Sequence, residues 1–518
     1  MRRTFWLDFV VLPSIFVLGA SRLPAPFGGD QALNLLLGQM ISRGGSPYRD
    51  LWDLKHPGVF FFFAAGGALF GFNEIGIHLF ELFWMVALAL LVRVVAGGWL
   101  EDRASASLAP ALTVGLYYAA AGPFHLTEAE ALVGLPLLLC LWCTVEALKA
   151  KRRMSVWLVA SGFAAGVVTV FKIPYVALAM VFWLLAVREL RSRRVGLRRA
   201  VVSIAPWVIV GALLPVLATV TFLLQKGVAA LAFWTYFKHP AEVAAAIPME
   251  PRRLLYAFRF WIVTFAPALA LAGIGVRDAL RRRMDVMTAG VCAWLSVGLL
   301  LIVMQVISWW EYHFLLLVVP VGLLAARGLE AARKVLSSWL TPGQQRRGHA
   351  VGALALVLLF APQLRSATRI TADTWRSRPL PFSDEGIAAY HAEHYSDYAS
   401  IRTRTAFLRE PGSQPGPIYV IDTPIYYVYA RRTPAIPLLA PWFHPTDRLW
   451  KRFHAQLEEA RPPYVRVSAS ALQAIVADRP SLRDEVATIV PLIESRYETL
   501  SRDADGTWYI RRDLASRR

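Results

Sequence analysis

The chain has 518 residues, 56% of them hydrophobic, and a formal net charge of +19; its mean hydropathy is +0.45. Soluble domains are roughly 45–50% apolar. The excess here is gathered into separated runs, which excludes one large water-soluble core and points to a polytopic membrane protein. Much of the positive charge falls in short loops between those runs, where it acts as a topology signal, and this argues against nucleic acid as a partner.

Arg2 and Arg3 precede the first apolar run, near 5–21. No small-residue cleavage site follows it cleanly, so it reads as a retained first span. Beyond it stands Asp30, in Gly28-Gly29-Asp30-Gln31, and then Pro47-Tyr48-Arg49-Asp50-Leu51-Trp52-Asp53-Leu54-Lys55-His56-Pro57. Acids and cations where a chain leaves the bilayer are costly unless a partner or a wet cavity receives them. Each also has a plainer reading. Asp30 fits a turn residue that caps the helix starting at Gln31, and Lys55 and His56 fit side chains that snorkel to the interface.

The next apolar run, 59–72, is only about 14 residues, or roughly 21 Å of helix, and Gly66-Gly67 interrupts it. Counted as a span, it would put Arg152, Arg153, Arg193 and Arg194 outside. It is therefore expected to be a re-entrant or interfacial helix of the first outer loop, with Phe60, Phe61, Phe62 and Phe63 suited to lipid or a lipid tail.

Ten further runs follow near 75–97, 106–122, 129–148, 155–171, 173–187, 201–224, 257–276, 286–307, 313–328 and 350–366. Alternating from an inside N-terminus, the inner loops collect the larger share of Arg and Lys, so the positive-inside rule selects that orientation and leaves the tail outside. Cys140, Cys143 and Cys292 all lie inside apolar runs and read as small buried residues.

The tail is polar and changes pattern. Residues 417–422 and 464–467 read as strands and 447–460 as an amphipathic helix. Residues 497–500 and 507–510, joined through Asp503-Ala504-Asp505-Gly506, read as a hairpin with Asp-Gly turn chemistry. The expected fold is mainly α: a polytopic membrane helix bundle of about eleven transmembrane helices plus the re-entrant or interfacial helix in 1–366, then a small extracytoplasmic α/β domain in 367–518.

The outer face gathers the candidate site residues. The first loop offers Asp30, Tyr48, Asp53, Lys55 and His56. The loop before the fourth span offers Glu128 and Glu130, of which Glu128 also fits a carboxylate favoured at a helix N-terminus. The loop 225–257 offers Arg252 and Arg253. Trp309-Trp310-Glu311-Tyr312-His313 precedes the tenth span, and its aromatics also fit an interfacial belt. Lys172, between two short runs, fits a marker of an outer hairpin. The outer-face residues are expected to meet in one outward-facing cavity.

The order of these features resembles the GT-C membrane glycosyltransferases, in particular the bacterial branch related to protein mannosyltransferases and lipid A aminoarabinose transferase. The likeness rests on Asp30 after the first span, Gly45-Ser46-Pro47-Tyr48, Asp53-Leu54-Lys55-His56-Pro57, Leu69-Phe70-Gly71, Thr127-Glu128-Ala129-Glu130 and Glu311-Tyr312-His313 running to Pro320. It differs in carrying Asp30-Gln31 where two adjacent acids are common, and His56 between Lys55 and Pro57.

The resemblance implies transfer of a sugar from a polyprenyl-phosphate donor to a lipid, glycan or protein acceptor, at the outer face of a bacterial inner membrane. It implies Asp30 as general base, with Glu128 and Glu130 as further catalytic acids. Lys55, His56, Arg252, Arg253 and His313 are implied on the donor phosphate, and Tyr48, Asp53, Glu311 and Tyr312 in the donor or acceptor pocket. A divalent cation, Mg or Mn, is left open. Two other classes use the same residue types. A transporter or flippase of an envelope glycolipid needs intramembrane charges along its path, but no repeat or symmetric pair of broken helices stands in the sequence. A non-enzymatic envelope assembly protein needs no such number of spans.

Overall fold

The computed structural model describes residues 5–150, 152–246, 250–282, 284–305, 309–341, 344–440 and 446–515. Arg2 and Arg3, named above for topology, lie outside them. All eleven apolar runs are mainly helical over their described residues. Among these, eight helices are long and apolar enough to cross a membrane: Glu74–Trp99, Ala129–Lys149, Met154–Phe171, Ile173–Ser192, Leu197–Gln225, Pro251–Arg281, Val286–Val303 and Glu311–Trp339. The last run forms two helices, Ala350–Leu359 and Ala361–Arg376, bent by 68° and counting as a ninth span only if taken together. The two remaining runs account for the difference from about eleven. Phe5–Ala20 has only 16 residues, and 103–120 carries a π-helical turn at Ala111–Gly115.

The chain divides into two compact units. The first comprises Met1–Pro24, His78–Thr219 and Pro251–Ser377. Its most buried span is Glu311–Trp339. Glycines let that helix lie against Pro251–Arg281 backbone to backbone: a Cβ on Gly275 would stand 2.2 Å from the Leu324 carbonyl oxygen. Met154–Phe171 and Leu197–Gln225 touch in the same way, through Gly162 and Gly211. Apolar side chains gain little by leaving lipid for protein, so small residues that permit close packing are what hold such helices together.

The second unit comprises Ala25–Ile77, Val220–Glu250 and Arg378–Arg518. Its four-stranded sheet is ordered β1-β2-β4-β3 (Tyr419–Ile421, Tyr464–Ser468, Gly506–Arg511, Tyr497–Arg502). β1 and β2 are parallel, and β4 is antiparallel to β2 and β3. The hairpin turns where expected, because Asp503 accepts the backbone N–H groups of Asp505 and Gly506 at 2.9 and 3.0 Å. The helix Asp447–Ala460 buries Leu449, Trp450, Phe453 and Leu457 along one face. At the centre of the sheet the fully buried Arg466 is matched by Asp503 at 2.9 Å and lies 4.6 Å from the Tyr426 ring.

The first-loop segment belongs to this unit. Helix Gly29–Ser42 packs on helix Pro57–Phe70, which begins with proline at its first position. Phe60, Phe62 and Phe63 are buried, which corrects the expectation of a lipid-facing cluster: they form core, and only Phe61 of the four is half-buried, edge-on to Phe222. The Trp52 N–H donates to the Pro437 carbonyl at 3.0 Å, and Arg402 binds Glu74 at 3.0 Å.

Candidate functional site

In the second unit the site is built on the start of one helix and the loop leading to another. The helix begins at Gly29, and the Gln31 side chain reaches back to accept the Gly28 N–H. Gln31 therefore does the capping that was one reading of Asp30. Asp30, in the first turn, makes an ion pair instead: Lys55 Nζ lies 2.9 Å from its Oδ2, with side chains 17% and 27% exposed respectively. The carboxylate keeps some exposure, whereas Lys55 Nζ is buried.

Lys55 is held by its loop. Tyr48 is fully buried and sits at φ +67°, in the left-handed region that residues other than glycine seldom occupy. Its hydroxyl donates to the Lys55 carbonyl at 3.0 Å and shares a short hydrogen bond with the Tyr236 hydroxyl. Burial raises the Tyr48 phenol well above its usual value. His56 stacks on the Tyr236 ring, centroids 4.6 Å apart and nearly parallel.

Asp53 is 4% exposed. Its Oδ1 accepts the Leu54 N–H at 2.7 Å, while its Oδ2 has no hydrogen-bond partner among the described residues. Burial pushes its carboxyl up to about 6, and Asp30 adds to that while Lys55 opposes it.

In the first unit the centre is Glu130, 2% exposed. Its Oε1 receives Lys172 Nζ at 2.6 Å and the Tyr175 hydroxyl at 3.1 Å, with His313 Nε2 at 3.9 Å. Lys172 also donates to Gln305 Oε1 at 2.8 Å. His313 Nδ1 accepts the Trp310 N–H at 3.4 Å, so that Nε2 is the ring nitrogen facing Glu130. Tyr312 packs edge-on against His313 at 4.6 Å. Glu128 is buried as the N-cap residue of the short helix Ala129–Leu132. Glu311 is half-buried and is a charged neighbour of His125, whose imidazole burial lowers.

Arg252 and Arg253 are exposed in the first turn of Pro251–Arg281. The Arg253 guanidinium lies 5.8 Å from the Trp310 ring. Sequence reading gave no site role to Lys172, Tyr175 or Gln305. A charge inside an apolar run was the signal for Lys172; nothing in the sequence marked the other two.

Among the described residues no three His, Cys, Asp or Glu side chains form a set that could hold a metal ion. Asp30 and Glu130 are each engaged by a lysine, a donor set that does not fit a cation as it stands, so no step is derived through one.

Residues 55–219 match the family model described as dolichyl-phosphate-mannose-protein mannosyltransferase. No curated protein matches the sequence. Among solved structures the chain is similar to ArnT from Cupriavidus metallidurans bound to undecaprenyl phosphate, at 13% identity, covering 98% of both chains, with a TM-score of 0.62. The same protein in the apo state gives 14% identity, 98% and 97% coverage and 0.58. The oligosaccharyltransferase AglB from Archaeoglobus fulgidus, in complex with an inhibitory peptide and a dolichol-phosphate, gives 13% identity and 0.56, over 98% of this chain and 74% of that one. At such identities the likeness is one of fold, and it agrees with the resemblance read from the sequence.

Proposed function

We propose that this chain, a multi-pass membrane protein with the GT-C glycosyltransferase fold, moves a sugar from a polyprenyl-phosphate donor to an acceptor hydroxyl or amine. The observation that carries the reading is the Lys55–Asp30 pair, 2.9 Å apart and partly open to solvent. A base and a phosphate-binding cation are the two groups this transfer needs. The bond from the acceptor atom to sugar C1 forms, the C1–O bond to phosphate breaks, and polyprenyl phosphate leaves. The transition state is oxocarbenium-like.

A donor phosphate offers Lys55 a stronger partner than one carboxylate. Drawing the ammonium away frees Asp30 to take the acceptor proton as the new bond forms, a contribution of about 10²–10⁴ in rate. The lysine then balances charge on the departing phosphate. His56 and Tyr48 hold the loop that carries Lys55, and Asp53 stands beside it. Glu128 and Glu130, with His313, Glu311 and Tyr312, orient the acceptor. Arg252 and Arg253 are exposed cations suited to a phosphate. The family model over 55–219 and the undecaprenyl phosphate and dolichol-phosphate bound to the similar structures support the donor class. The arginine-rich inner loops support a cytoplasmic N-terminus and an extracytoplasmic tail.

The test is mass spectrometry of lipid-linked sugars and envelope glycans in cells with and without the gene. A polyprenyl-linked sugar that accumulates while one glycan, lipid or protein loses that sugar is the expected result. An unchanged donor pool with unchanged products overturns the reading, and a fully formed product trapped on the cytoplasmic side would make the chain a flippase.

A further inference from the structure

The first unit contains a buried acid that the reaction as described does not use. Glu81 lies about two turns into helix Glu74–Trp99 and is 1% exposed. Its Oε1 accepts the Tyr117 hydroxyl in a short hydrogen bond and the Thr127 backbone N–H at 3.1 Å. A carboxyl at such a place in a span is costly to keep unless it does something there.

What it holds is a strained residue. Thr127 sits at φ +58° and is completely buried. A β-branched residue in the left-handed region is a genuine outlier, and such strain persists only where surrounding contacts enforce it. Its hydroxyl is already spent on the Leu126 carbonyl at 2.6 Å. The Glu81 oxygen therefore supplies the contact that fixes its backbone. The other end of this loop is also fixed, because Arg22 donates to the Tyr118 carbonyl at 3.1 and 2.8 Å and to the Ala121 carbonyl at 2.6 Å. Arg22 is the charged neighbour of Glu81. Immediately after Thr127 come Glu128, at the N-cap position of the next helix, and Glu130, bound to Lys172.

We infer that Glu81 is a positioning residue. Through the Thr127 amide it locks the turn that aims Glu128 and Glu130, and so sets the acceptor geometry without touching substrate. The aiming part rests on the transferase reading above; the clamp itself does not.

The test uses the full-length protein purified in detergent. Hydrogen–deuterium exchange is followed on peptides spanning 122–132, and sugar transfer from the lipid-linked donor is followed in membranes. Glu81→Gln keeps an acceptor oxygen and is expected to preserve both protection and transfer. Glu81→Ala is expected to speed exchange in this segment about tenfold or more, and to lower kcat by about 10–100-fold with KM little changed. Glu81→Met, which fills the volume without accepting a hydrogen bond, is expected to match Glu81→Ala and serves if the alanine variant does not fold. Adding Thr127→Gly, which adopts positive φ without strain, is expected to restore transfer to a Glu81→Ala protein. Exchange as slow in Glu81→Ala and Glu81→Met as in the unaltered protein would overturn the clamp. Faster exchange with undiminished transfer would overturn the aiming role. An unaltered protein that transfers no sugar would remove the transferase reading while the exchange data still decide the clamp.

Discussion

Lys55 Nζ lies 2.9 Å from Asp30 Oδ2, which stands in the first turn of helix Gly29–Ser42, with the rest of that helix and the following loop between them in sequence. The two side chains are only 17% and 27% exposed and Lys55 Nζ itself is buried, so losing one charge leaves the other incompletely compensated. Asp30→Asn, which keeps the shape and an acceptor oxygen, is expected to lower transfer by about 10²–10⁴ while the protein still folds, with a lower apparent melting temperature. Lys55→Ala is expected to weaken donor binding as well as rate. Turnover and melting measured on the same preparations check this; Asp30→Asn with full activity would remove Asp30 as base.

Asp53 gives the site a pH signature. Its carboxyl is raised to about 6 from 3.8 by burial. Below about pH 4 both folded and unfolded chains carry the proton. Between about pH 4 and 6 the unfolded chain gives it up while the folded chain retains it, so the stability this group contributes falls as pH rises and is lost above about 6. Each pH unit in that window is worth at most about 1.4 kcal/mol. Asp53→Asn, which does not titrate, is expected to melt higher than the unaltered protein at pH 7, with the gap closing as pH falls to 4. Parallel melting profiles for the two proteins across this range would contradict the assignment.

What was legible in the sequence was local. Apolar runs became helices because length and hydropathy decide that segment by segment, and the Asp503–Gly506 turn follows from side chains bonding their own backbone. The pairing of Asp30 with Lys55 was within reach because one loop carries both. Glu130 with Lys172 and Glu81 with Thr127 are separated by 42 and 46 residues, and no spacing rule connects positions brought together by packing. The buried Phe60, Phe62 and Phe63 misled for a related reason. An apolar helix reads alike whether its rings meet lipid or a neighbouring helix, and here the neighbour is Gly29–Ser42. Burial of Glu81 was equally hidden, since an acid near the end of an apolar run also reads as an interfacial residue.

That contact between helices Gly29–Ser42 and Pro57–Phe70 is set by Gly38. A Cβ there would lie 2.7 Å from the Ala64 nitrogen and 2.8 Å from the Phe63 carbonyl carbon. Both are backbone atoms that cannot turn aside. Alanine is favoured over glycine in a helix by about 1 kcal/mol, but overpacking of this kind costs about 1–3 kcal/mol, so the clash wins. Gly38→Ala is expected to lower the apparent melting temperature. It is also expected to reduce transfer, because Asp30 stands about 12 Å up the same helix and would move away from Lys55. A variant that melts higher than the parent would show that the helices part without loss.

Glu130 and Lys172 differ from Asp30 and Lys55 in the depth of the carboxylate. The carboxylate is 2% exposed and the lysine 21%, so Glu130 depends on Lys172 and on the Tyr175 hydroxyl for its charge. Removing one partner of a buried pair costs about 3–5 kcal/mol, because the charge left behind is uncompensated, whereas replacing both is often nearly neutral. Lys172 keeps some water, which puts its loss toward the lower figure. Lys172→Met is therefore expected to destabilise the protein strongly, and Lys172→Met with Glu130→Gln to regain most of the lost melting temperature. Transfer separates the two roles of the acid. If Glu130 only joins helices, the double variant recovers activity together with stability. If it orients the acceptor, the double variant melts normally and remains slow, and that is the outcome expected here.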